Sequence, residues 1–279
     1  MDNINMPITF NKNDVDSGNI FLCKDSILRH SDILAFYGHP LSKKMGVIGR
    51  YNKEESFEKL SKLADEYLEA GSRNIVKAFY IIFGTVWPDA QIGIIRETVL
   101  QEWIEFTLER NMLIFLDHQM GKCSPEESII TMLPWLKYPN VHLALDPEWR
   151  TIRPMKEIGH LTAEEINHVQ QIMENYLIEN QLPGERFLVI HQFKHFMLKN
   201  RMEIKSNFSR VRFVHFISGI GDPSMKRDTY ALLGAQAVNL PIKGFKLWFD
   251  FGIPGHADIP LMTPIEVLGL EPRPFIFMY

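Results

Sequence analysis

Short apolar runs and stretches of helical periodicity alternate along the chain. Residues 33–39, 75–83, 112–119, 141–149, 187–192, 211–217, 244–250 and 274–279 are rich in Val, Ile, Leu and Phe and have strand length. Between the first two, Phe57, Leu60, Leu63, Ala64, Tyr67 and Leu68 recur at helical spacing, after Asn52-Lys-Glu-Glu55 and before Gly71. Asparagine followed three residues later by glutamate is the spacing of a capping box, and glycine ends helices readily. Ser124-Pro-Glu-Glu127, Thr162-Ala-Glu-Glu165 and Thr263-Pro-Ile-Glu266 repeat that start signal. Helices are expected over 94–110, 124–137, 162–180, 194–207 and 222–237, with a short one after Thr263.

Strand and helix alternating eight times within roughly 250 residues indicates parallel strands joined by right-handed crossovers. The expected fold is α/β: a single (β/α)8 TIM-type barrel over 33–279, with residues 1–32 as an N-terminal arm packed on it. Neither G-x-G-x-x-G after a strand nor a P-loop is found, which removes the usual signal of nucleotide-binding open sheets. The glycine- and proline-rich stretch 251–262 follows the seventh strand and is expected to serve as a lid.

Strand parity then sorts side chains, because neighbours along a strand point to opposite faces. In Val141-His-Leu-Ala-Leu-Asp-Pro-Glu-Trp149, the apolar Val141, Leu143 and Leu145 oppose His142, Ala144, Asp146 and Glu148. The apolar face belongs against helices, which leaves the carboxylates at the mouth where such barrels place their chemistry. The same rule sends Tyr37, His39, Asp117, Gln119, His191, Lys246, Trp248 and Asp250 inward, and His118 outward. Strands two and six give no parity contrast.

Carboxylates gathered in a partly dry mouth push each other's pKa values apart, so one holds a proton while another stays ionised. That division suits glycosidic bond cleavage. Glu148 is the expected proton donor, Asp146 its orienting or charge-stabilising neighbour, and Asp250 a nucleophile or second stabiliser. Tyr37, His39, Asp117, Gln119, His191, Lys246 and Trp248 are expected to bind substrate. Three alternatives stay open. His39, Asp117, Asp146, Glu148, His191 and Asp250 are ligand types for a divalent metal, although their spacing is loose. Lys246 is a candidate Schiff-base amine. A barrel that binds a sugar or small metabolite without turnover is the fourth reading.

Composition narrows the partners. A net charge of −4 gives no basic excess that would suit nucleic acid, and no polybasic membrane patch is read, so neither nucleic acid nor a membrane is expected as a partner. A hydrophobic share of 46% supplies a large core. The polar start, the lack of any long uncharged apolar run and only two cysteines, Cys23 and Cys123, lead to the expectation of a cytoplasmic protein. A bridge between the two cysteines stays open.

Leu145-Asp-Pro-Glu148 resembles the D-x-E strand-four motif of chitinase-like enzymes and muramidase-type lysozymes. That likeness implies Glu148 as the acid, whereas His142 and Ala144 replace the upstream acidic run of the chitinase-like group. Across most of the chain, Tyr37-Gly-His-Pro40, Phe115-Leu-Asp-His-Gln119, Leu143-Ala-Leu-Asp-Pro-Glu148, Val189-Ile-His-Gln-Phe193, Gly244-Phe-Lys-Leu247 and Met262-Thr-Pro-Ile-Glu-Val-Leu268 are similar to a bacterial lipoprotein family of no settled activity. That family often carries aspartate where Ser218 stands, so the resemblance implies a changed substrate or lost catalysis here.

Overall fold

The computed structural model of the protein describes residues 26–279. Eight strands form the barrel: β1 (Ser31–Gly38), β2 (Asn74–Val86), β3 (Leu113–Gln119), β4 (Val141–Asp146), β5 (Arg186–Gln192), β6 (Val211–Ile217), β7 (Lys243–Lys246) and β8 (Ile276–Met278). Each pairs in parallel with its sequence neighbours, and β1 pairs with both β2 and β8, which closes the cylinder. The (β/α)8 reading is therefore the observed architecture. A short strand, Ile92–Ile94, folds back antiparallel on the end of β2.

Helices α1 (Lys53–Glu69), α2 (Glu97–Glu109), α3 (Pro125–Met132), α4 (Ala163–Glu179), α5 (Pro223–Thr229) and α6 (Pro264–Leu268) wrap the barrel. All four sequence-read capping boxes form: Asn52, Ser124, Thr162 and Thr263 each accept from the backbone N–H of the glutamate three residues on. Each satisfies a donor that the first helical turn leaves without a partner.

Three stretches differ from expectation. Residues 194–207 form no α-helix; they contain two 3-10 turns and a strand, Leu198–Lys199, paired with Leu161–Thr162. Met197, Leu198 and Ile204 are buried while Phe196 and Met202 are exposed, so the apolar residues of the segment do not share one inward face. Strand β7 ends at Lys246 rather than at 250, because the Trp248 amide and carbonyl bond to Asp258 and not to a neighbouring strand. Strand β4 ends at Asp146, whose side chain caps the 3-10 turn Pro147–Trp149.

The arm expected over 1–32 lies mostly outside the described residues, as do Cys23 and its pairing. Its described end is a turn, Ile27–Arg29, which places Leu28 in the barrel floor, and the first strand starts at Ser31.

Two apolar layers follow the parity rule. Leu34, Phe36, Leu143, Leu145, Leu188 and Ile190 face the helices. Ile33, Ala35, Phe115, Ala144, Val189 and Phe216 fill the interior. Glycine is needed at 244 because a Cβ there would lie 2.0 Å from the Phe216 ring. His118 is outward as expected, and its ring packs on Gly84, where a Cβ would lie 2.8 Å away. Burial holds the His118 pKa down at about 4, so the ring is neutral packing material.

Candidate active site at the barrel mouth

Above the apolar layers, the inward positions become polar. Asp117 on β3, Asp146 at the end of β4 and Lys246 at the end of β7 are buried there, with Glu148 one turn beyond β4 and partly exposed. The Lys246 Nζ lies 3.4 Å from the centre of the Tyr37 ring and 3.9 Å from that of Trp248. An ammonium over two ring faces gains from their negative quadrupoles.

Three carboxyl groups around one ammonium cannot all ionise cheaply in a dry site. Burial, then the charge of Asp146, push Glu148 up to about 8, against a smaller opposing pull from Lys246. Burial raises Asp146 to about 6; Lys246, the Glu148 amide and the Trp149 side chain oppose the rise. Asp117 is raised well above the carboxylate range by burial and by Asp146, and neither of its oxygens has a hydrogen-bond partner among the described residues. Burial lowers Lys246 to about 8, although all three carboxyls favour its charged form. Burial and crowding therefore favour the protonated forms of Asp117 and Glu148, and Asp146, raised less than Glu148, is the one best placed to face the Lys246 ammonium as an anion.

The surrounding polar groups are tied in place. The Tyr80 hydroxyl lies 2.7 Å from His191 Nε2, and burial holds that imidazole well below its usual pKa, so it is neutral. Gln119 hydrogen-bonds the Tyr37 hydroxyl and accepts from the Val86 amide at 3.0 Å. The indole of Trp248 donates to the Ser218 carbonyl at 3.2 Å.

Two expected site residues are elsewhere. Asp250 is exposed, and its Oδ1 accepts from the Gly252 amide at 2.7 Å. It lines a separate cavity of about 540 Å³ against α1, with Phe36, Tyr51 and Phe249. The chain has left the strand by then, so parity no longer governs its direction. His39 turns back on its own loop, where Nδ1 accepts from the Leu41 amide at 3.1 Å.

Glu148 opens instead into a cavity of about 490 Å³, walled by Trp149, Phe193, Trp248, Met155 and Met225. The flank cavity is slightly larger, but only this one adjoins the carboxyl cluster. Trp248 separates it from a cleft of about 50 Å³ above Lys246 and Tyr37. Among the described residues, no three His, Cys, Asp or Glu side chains converge in a way that could hold a metal ion. The candidate ligands His39 and Asp250 point away, and Lys246 occupies the centre of the cluster.

Sequence reasoning missed Tyr80, because both faces of β2 are apolar and carry no contrast. It also missed Asp258 and Lys226, a buried ion pair at 2.9 Å. Asp258 accepts from the Trp248 and Gly221 amides at 2.9 and 3.0 Å, which pins the expected lid to the barrel at its midpoint. No local pattern marks either residue; they become visible only once the loop is seen folded over α5.

No family model matches the chain, and no curated protein matches it in sequence. Among solved structures, it is similar to a provisionally assigned lyase/mutase from Burkholderia cenocepacia J2315: 11% identity over 77% of this chain and 72% of that one, TM-score 0.42. A GH5 family lichenase from Caldicellulosiruptor sp. F32 shares 9% identity over 88% of this chain and 82% of its own, TM-score 0.41. A GH138 enzyme that targets pectin rhamnogalacturonan II shares 10% identity over 88% of this chain and 34% of its own, TM-score 0.41.

Proposed function

We propose that the protein hydrolyses a glycosidic bond at the barrel mouth, with Glu148 as proton donor. The observation that carries this reading is a carboxyl group pushed up to about 8 at the base of a cavity walled by two tryptophans and a phenylalanine. An acid that keeps its proton at neutral pH is what a departing alkoxide needs, and indole faces are suitable plates for the C–H faces of a sugar ring.

The Glu148 proton passes to the leaving-group oxygen as the exocyclic C–O bond breaks. Ionised Asp146 offsets the positive charge that develops on the sugar ring. Water adds to the anomeric carbon, and the proton it sheds returns to the Glu148 carboxylate, so charge and atoms balance. Asp250 has no part in this scheme, since it lines the other cavity. The test is a panel of chromogenic glycosides run on wild type, Glu148→Gln and Asp146→Asn. The expected result is turnover by wild type and a loss of about 10²–10⁴-fold in Glu148→Gln. Sugar binding without turnover by wild type would contradict the scheme and leave a binding barrel.

One observation favours a second reading. Lys246 has an amine lowered to about 8, within reach of neutral chemistry as a Schiff-base nucleophile. It ranks second because its three carboxyl neighbours favour the charged form and only the small cleft reaches it. Borohydride reduction in the presence of aldehydes and ketones, followed by peptide mass analysis, would place an adduct on Lys246 if this reading held.

A further inference from the structure

Two neighbouring loops beside the mouth, 147–160 and 193–203, are joined by the small sheet Leu161–Thr162/Leu198–Lys199. Their tips are apolar and exposed: Ile152 is 69% accessible, Met155 80%, Phe196 51% and Met202 58%. Met155 has a φ of 66°, a left-handed conformation that suits glycine far better than methionine. The backbone thus holds a strained residue with its apolar side chain outward.

Basic residues flank these tips. Ile152, Arg153, Met155 and Lys156 interleave along one loop, and Lys194 and Lys199 bracket Phe196 on the other. Glu148, Glu157 and Glu203 are the acids of these two loops. Glu157 is neutralised by Arg153 at 2.9 Å, which leaves the balance positive on a chain whose net charge is −4. Separate protruding tips with basic flanks differ from the concave apolar groove that a helix or a peptide occupies. They fit a compliant surface that accepts side chains one at a time and carries negative charge. A second copy of the chain pairing through this face would bring the basic flanks together.

We propose that the Ile152–Met155 and Phe196–Met202 loops dock the protein on an anionic lipid surface. Met155 and Lys194 also line the cavity that holds Glu148, so docking sets the mouth against the headgroups. The proposal concerns the loops and stands independently of the glycosidase reading.

The test is co-sedimentation of the full chain with vesicles of phosphatidylcholine alone, or of phosphatidylcholine with about one-third phosphatidylserine. Binding to the anionic vesicles is expected to be about tenfold tighter or more, and to weaken as salt rises. Met155→Gly relieves the strained φ, so it is expected to leave Tm unchanged or higher while weakening vesicle binding. Lys156→Glu with Lys199→Glu is expected to cost about tenfold in binding to anionic vesicles only. Ile130→Ser with Ile178→Ser, exposed positions on α3 and α4, is the control expected to bind as wild type does. Equal affinity for both vesicles, absence of binding to either, or indifference to the loop variants would overturn the proposal. So would a self-association that these variants abolish without any vesicle binding.

Discussion

At the scale of the residue, the mouth is governed by one imbalance: three carboxyls share one ammonium where water is scarce. The linkage sign follows from Glu148. Its folded pKa of about 8 exceeds the ordinary value of 4.5, so the folded protein binds more protons than the unfolded chain between those limits. Glu148 therefore lowers stability progressively as pH rises through that window, with no further loss above it. Glutamine mimics the protonated form, so Glu148→Gln is expected to raise Tm by about 2 °C or more at pH 8 and little at pH 5. Thermal melts of the two proteins across pH check this. Lys246 acts on the same groups in the opposite sense, since its charge lowers all three carboxyls. Lys246→Met is expected to move the alkaline limb of any activity profile upward in pH. Which residues point inward was legible from period two alone for Asp117, Asp146, His191 and Lys246. The size of their pKa shifts was not, because it depends on packing across the barrel. Asp250 failed for a definable reason: parity has meaning only while the backbone stays extended.

At the scale of the element, caps and clamps determine where the site-bearing loops begin. Thr162 starts α4 at the end of the loop that carries Glu148, and its partner Glu165 also holds Arg150 through a 2.6 Å ion pair. Thr162→Ala is expected to cost about 1 kcal/mol in chemical denaturation, with the larger effect on the mouth loop seen as faster amide exchange. The Lys226–Asp258 pair is a stronger fastening, since both side chains are almost wholly buried. Asp258→Ala leaves the Lys226 ammonium buried without its counter-charge and is expected to cost about 3–5 kcal/mol. The capping boxes were readable because they are local, confined to four consecutive residues. The 251–262 fastening joins a loop to a helix more than thirty positions earlier, and its two polar residues look like any surface pair in the sequence. The same locality explains the difference at 194–207: the apolar spacing there suggests a short helix, whereas the segment folds against α4 and the β4 loop.

At the scale of the whole molecule, closure of the barrel depends on β1, and its floor is locked by charge. Asp32 on β1 takes hydrogen bonds from Ser72 and Arg73 ahead of β2 and from Arg273 ahead of β8. Burial alone would raise its pKa, but those donors outweigh it and hold Asp32 below 3.8. A depressed carboxylate contributes stability that is present above the unfolded pKa and lost as pH falls below it. Asp32→Asn is therefore expected to lower Tm at neutral pH and to flatten the loss of stability on the acid side. The alternation made the parallel sheet legible, and eight units within roughly 250 residues pointed to its closure as a barrel. Net charge, by contrast, concealed a basic patch beside the mouth, since a sum over the chain cannot report where charges gather. Acid catalysis at the mouth requires one physical state: a Glu148 carboxyl that keeps its proton in neutral solution. ¹³C-carboxyl NMR titration of the labelled protein, with the Glu148 resonance assigned by its loss in Glu148→Gln, measures that state without any substrate. A midpoint near 8 is the expected result; a midpoint near 4.5, the ordinary glutamate value, would contradict it.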